Sequence, residues 1–121
     1  MATATGHTQA IQASRVIGTD VYNTEGEHIG SIDDVMLDKT SNNIMFAVIS
    51  FGGFLGIGEK YHTVPWSSLD YHPENGGYVV PFTKQQLEAA PVYNVNDLTK
   101  EDGRVARDAS YDYYKVPRYW I

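Results

Sequence analysis

Between Gly52 and Lys60 the chain reads Gly-Gly-Phe-Leu-Gly-Ile-Gly-Glu-Lys, and Gly53 and Gly58 have the spacing of a loop that cradles phosphate. Such a loop continues from its last glycine with Lys and then Ser or Thr. Here Glu59, Lys60 and Tyr61 follow. Glu59 sets a negative charge where the anion would sit, and no long helix follows to turn its positive end toward it. The stretch therefore reads as a glycine-rich connection between strands, carrying the apolar Phe54, Leu55 and Ile57 at its tip. Those three either form an exposed contact surface or fold back on the domain.

The remaining polar groups offer little chemistry. A zinc site needs three or four ligands converging on one point. The best set is His62, Asp70 and His72, on what read as neighbouring strands, with Asp70 and His72 sharing a face. They are expected to be solvent-side strand residues. Asp33, Asp34 and Asp38 look like an acid cluster, but Asp33 and Asp34 are adjacent on a strand and point to opposite faces. Asp34 and Asp38 share a face yet lie about 13 Å apart at a rise of roughly 3.3 Å per residue, beyond the separation of paired glycosidase acids. A solvated acidic face is the expectation. No Gly-x-Ser-x-Gly elbow is present to anchor a serine nucleophile. With no cysteine in the chain, disulfides, Cys-based zinc sites, iron–sulfur clusters and thiol nucleophiles are excluded. The reading is of a protein that is not an enzyme and holds neither metal nor cofactor.

Charge narrows the partners. Nine Lys and Arg against fifteen Asp and Glu leave a net charge of −6, which disfavours unspecific binding to nucleic acid or anionic membrane. The one basic group beside aromatics is Arg104, Arg107, Lys115 and Arg118, and Glu101, Asp102, Asp108 and Asp112 offset it. Direct contact with nucleic acid is therefore not expected, nor is a small-molecule substrate. No stretch approaches the roughly 20 apolar residues of a membrane span. Residues 1–13, rich in Ala, Thr, Gln, Gly and His, resemble no secretory signal and read as a disordered leader, which puts the chain in the cytoplasm.

At 121 residues the chain has the length of one domain. Its middle reads as short strands punctuated by turns. Arg15 to Gly18 and Asp20 to Tyr22 open it, and Asn23 to Gly26 is a turn with Gly26 at a positive φ. Ile29 to Asp38 is a longer strand, with Val35 and Leu37 on its apolar face and a bulge or sharp bend near Gly30. Ile44 to Phe51, nearly all apolar, is the central strand, covered on both faces. Tyr61 to Trp66 follows, with Pro65 pushing it to an edge or an end. Asn75-Gly76 makes a type I′ hairpin between Leu69–His72 and Tyr78–Phe82. Thr83, with Gln86 three residues on, caps a two-turn helix that Pro91 ends. Beyond it a short helix from Thr99 is weakened by Gly103.

The glycine stretch, followed by Val64-Pro65-Trp66, resembles the PRC-barrel family. Ile17 to Asn23 resembles the family's opening strand, with Gly26 and Gly30 bracketing its turn. Ile32 to Asp38 and Phe46 to Ser50 are similar to its next two strands. The resemblance runs over residues 14–90. It implies a mainly β fold: a small, strongly bent β-barrel, here with a short helix after the last strand and an aromatic tail. It also implies a protein-docking role and frequent self-association. The family includes the cytoplasmic domain of the reaction-centre H subunit and the second domain of a ribosome-maturation factor. Neither the membrane helix of the first nor the preceding domain of the second is expected here, so neither role is expected to transfer.

Residues 91–121 form that tail, packed on the barrel or on a partner. Of the fifteen aromatic residues (nine Tyr, four Phe, two Trp), five stand in the last eleven positions: Tyr111, Tyr113, Tyr114, Tyr119 and Trp120. Tyr and Trp bring large contact area with a polar tip, which suits a half-wet contact. Pro117 keeps Val116 extended. The expected partner is protein, a homodimer first of all, with the tail and the glycine-loop tip at the interface. The other reading is an adaptor in RNA metabolism or ribosome assembly.

Overall fold

The computed structural model describes residues 10–50 and 61–120. Residues 1–9 of the expected leader, and the glycine stretch with Phe54, Leu55 and Ile57, lie outside the described residues. A helical turn, α1 (Ala13–Val16), comes first, where the sequence reads as strand. Gly18, at φ 91°, turns the chain out of it, and the N–H of Gly18 donates to Ile32 O. Seven strands follow: β1 (Asp20–Asn23), β2 (His28–Asp38), β3 (Asn43–Ser50), β4 (Tyr61–Pro65), β5 (Asp70–His72), β6 (Gly77–Val80) and β7 (Val92–Tyr93). Two α-helices follow, α2 (Lys84–Ala89), between β6 and β7, and α3 (Arg104–Tyr114).

The strands hydrogen-bond in the order β5-β6-β1-β2-β3-β4-β7. All pairs are antiparallel except β1 with β6. This is the mainly β architecture expected. Among the described residues the sheet does not close, since β5 and β7 remain edges, but it bends strongly. In a flat sheet four spacings separate β6 from β4, about 19 Å. Yet Trp66, directly after β4, has its ring 5.6 Å from that of Tyr78 on β6. Side chains, not backbone, bridge the seam. Pro65 ends β4, as its missing donor requires, although β4 is an interior strand between β3 and β7.

Bulges produce much of the bend. Val21 pairs with Gly30 but Tyr22 with His28, which leaves Ile29 as the extra residue beside the glycine that signalled a bulge. Asp33 and Met45 are the extra residues between β2 and β3. Alternation along β3 splits its residues between two cores. Ala47 and Ile49 face the barrel interior with Val21, Ile32, Val64 and Val80. Phe46 and Val48, joined by Met45, face outward under Leu98 and Ala106. Beyond the Met45 bulge, Leu37 overhangs the core and is 61% exposed, contrary to the expectation that it packs with Val35.

The hairpin between β5 and β6 forms where expected, but its turn is not type I′. That turn needs a positive φ at both central residues, and Asn75 has none; only Gly76 does, at φ 68°. His72 O accepts from the N–H groups of both Asn75 and Gly76, so the loop spans four residues. The helix α2 begins as its sequence says. Thr83 Oγ1 accepts from the Gln86 N–H, and Gln86 Oε1 accepts from the Thr83 N–H.

Candidate interaction surface

The segment beyond β7 folds onto the outer face of the sheet. A short 3-10 turn, Lys100–Gly103, follows Thr99, and the α-helix proper starts after Gly103. Glu101, Asp102 and Gly103 all have positive φ (51°, 60° and 85°) and form a left-handed turn that reverses the chain into α3. The buried residues of α3 are Ala106, Arg107, Ser110, Tyr111 and Tyr114. That is a stripe at helical spacing, and its polar members hid it from a search for apolar periodicity. Ser110 Oγ donates to Thr63 O on β4, and Tyr111 OH donates to Met45 O on β3. Burial pushes the Tyr111 phenol up to about 12.

Past α3, Lys115 takes the left-handed conformation and the N–H of Val116 closes on Tyr111 O. The chain then doubles back over the helix. Trp120 lies edge-on to Tyr111 at 4.8 Å and to Tyr119 at 4.9 Å. The Arg107 guanidinium stacks 3.7 Å from the Trp120 ring centroid, a cation–π contact, and Arg118 lies 5.4 Å away. Arg118 also clasps both oxygens of Asp112 at 2.8 and 2.9 Å. Tyr119 OH donates to Asp38 Oδ2 at 2.8 Å.

Asp38 is therefore not part of a solvated face. It is buried, and its other oxygen accepts from the Thr40 N–H, the Thr40 hydroxyl and the Ser41 N–H. The Thr40 hydroxyl first, then Tyr119, hold its carboxyl well below the usual carboxylate range, against the opposing effect of burial. The signal was present as Asp38-Lys39-Thr40-Ser41, the pattern in which an Asp accepts from the backbone two residues on. Asp33, by contrast, is exposed, and accepts from Ser50 Oγ. His62 and β5 also differ from expectation. Four strands separate β4 from β5 in the sheet, so His62 is no neighbour of Asp70 and His72. His62 is 8% exposed rather than solvent-facing. Among the described residues no three His, Asp or Glu side chains gather as metal ligands.

The five tail aromatics thus divide. Tyr111, Tyr119 and Trp120 meet at the Asp38–Asn43 end of the β2–β3 hairpin. Tyr114 turns to the barrel interior, stacked 4.3 Å from Phe82. Tyr113 is 36% exposed and donates to Gln86 O on α2. In this conformation Tyr111 and Tyr114 are interior, while Tyr113, Tyr119 and Trp120 keep contact with solvent. Of the residues flanking the glycine stretch, Tyr61 packs against the same outer core as Tyr119. Ser50 is five residues up β3 from Met45, about 17 Å at strand rise.

The PRC-barrel domain model matches residues 9–87. The chain belongs to the PRC-barrel family. The match spans β1 to β6 and most of α2, so α3 and the aromatic segment are additions to the PRC-barrel part of the chain. No curated protein matches the chain. Among the described residues no helix is long and apolar enough to cross a membrane.

One polar group in the PRC-barrel interior stands out. Tyr114 OH is buried and has no hydrogen-bond partner among the described residues. Burial, with Tyr113 adding to it, pushes that phenol well above its ordinary value. An unsatisfied buried hydroxyl costs about 1–3 kcal/mol. Tyr114→Phe keeps the ring on Phe82 and is expected to raise stability by about 1 kcal/mol in urea unfolding. A loss of that size instead would show the hydroxyl to be satisfied.

Proposed function

We propose that this PRC-barrel protein is a non-enzymatic module that binds protein, and that its first partner is a second copy of itself. Membership of the family carries the reading, since a PRC-barrel domain suggests protein interaction. The tail supports it with Tyr113, Tyr119 and Trp120, which present large amphipathic rings at the surface while Tyr111 and Tyr114 brace them from within. The glycine-loop tip, Phe54, Leu55 and Ile57, is the second proposed contact. Two of the four basic residues that an RNA reading would use are engaged: Arg107 with Trp120 and Asp108, Arg118 with Asp112.

Light scattering of the full chain at micromolar concentration is expected to give twice the 13.5 kDa chain mass. The double variant Phe54→Ser, Trp120→Ser is expected to shift it to the monomer while circular dichroism stays unchanged. A monomer in the unaltered protein sinks the self-association. Purification from native lysate with ribosomal proteins or RNA bound would favour the adaptor reading.

A further inference from the structure

We propose that residues 116–120 form a strap that opens as a unit about Lys115 while the sheet stays folded. The hinge is Lys115, at φ 57° and ψ 42°. Glycine is the residue that takes this conformation freely at a helix end, and a lysine there holds strain that opening relieves. Val116 makes the closing backbone bond, to Tyr111 O, and Pro117 has no N–H to add another. Beyond Val116, among the described residues, the strap is held by side chains alone. These are Arg118 on Asp112, Tyr119 on Asp38 and on the outer core, and Trp120 on Tyr111 and Arg107, while the Val116 side chain packs on the barrel core. The helix beneath is fastened differently. Ser110 bonds β4, Tyr111 bonds β3 and Tyr114 stacks on Phe82, so α3 has its own anchorage when the strap lifts.

Segments with few backbone bonds and mostly side-chain fastening open at lower free energy than core strands. Opening changes the character of this surface in one movement. Two aromatic rings leave, and the Tyr111 ring, the Arg107 guanidinium and the Asp38 carboxylate are uncovered together. The strap thus gates a surface of mixed charge.

Amide exchange in the full chain, followed by NMR with urea below the unfolding range, tests this. The Val116 amide, bonded to Tyr111 O, is expected to exchange through the opening of the strap. Its rate should be insensitive to urea and at least about a hundredfold faster than the Val48 amide of β3. Tyr119→Phe removes the bond to Asp38, and is expected to speed Val116, three residues away, by about tenfold. Two results would overturn the proposal. Val116 following the urea dependence of Val48 would mean that the strap opens only with the fold. A Val116 rate unchanged by Tyr119→Phe would mean that the hinge frays alone.

Discussion

Replacing Gly77 with alanine is expected to cost about 3 kcal/mol or more and to lower the melting temperature by roughly 10–20 °C. Gly77 opens β6 at its junction with the hairpin loop, and β6 lies parallel to β1. A methyl group on Gly77 would press on the Asp20 carbonyl oxygen, closer than side-chain carbons come to any atom. It would also lie 3.1 Å from both the Asp20 carbonyl carbon and Tyr22 Cε2. The Tyr22 ring can yield, but the carbonyl cannot. Asp20 belongs to β1, which is pinned between β6 and β2 and pairs with Ser31 on its far side. The strand that must move is therefore β6. It carries Tyr78, Val79 and Val80, all buried, and Tyr78 holds the seam against Trp66.

The adjacent glycine supplies the control. Gly76 has open space around its Cβ position but needs φ 68°. Gly76→Ala therefore carries only the backbone penalty, about 1–2 kcal/mol. Two neighbouring substitutions of one methyl each are thus expected to differ clearly in thermal unfolding, the larger effect falling on the glycine with the ordinary φ. Equal effects would rule out the close approach of β6 to β1.

This pair also marks the limit of what the sequence discloses. Asn75-Gly76-Gly77 announces a turn, and the turn is there. Nothing in the string says that only one of the glycines serves it while the other admits a neighbouring backbone, because that neighbour is 57 residues away. Local signals carried the fold where one short segment was sufficient: the capping box at Thr83 and Gln86, the bulge beside Gly30, the apolar run of β3. They failed where the partner is distant or polar. The stripe on α3 is Ala, Arg, Ser and Tyr, buried because Ser110 and Tyr111 find carbonyls on β4 and β3 and Arg107 finds Trp120. Asp38 read as a wet carboxylate because its fourth donor, Tyr119, lies 81 residues on. Of the expected contact residues, the sequence located the aromatic cluster but could not tell the interior rings from the outer ones, since that depends on the phase of a helix it did not reveal.

Acid is expected to destabilise the protein in two successive windows, and the first belongs to His62. On β4, His62 pairs with Ile49, and shares with it and Val64 the face of the sheet that lines the barrel interior. Burial there lowers its pKa from 6.5 to about 4. Between those values the unfolded chain binds a proton that the folded chain refuses. Stability is therefore complete above about pH 6.5 and falls as the pH drops toward 4, by on the order of 3 kcal/mol in all. Asp38 acts below that. Its folded pKa is depressed, so its contribution is present above the ordinary carboxylate value near 3.9 and is lost as the pH falls further. Urea midpoints measured at pH 7, 5.5, 4.5 and 3 separate the two groups. His62→Gln, which cannot be charged, should flatten the decline between pH 7 and 4.5 and leave the one below pH 4. Tyr119→Phe, which takes a hydrogen bond from the Asp38 carboxylate, should weaken the lower window and leave the upper one. If His62→Gln keeps the full decline between pH 7 and 4.5, the imidazole is not the group that refuses the proton, and its place among Ile49 and Val64 carries no such cost.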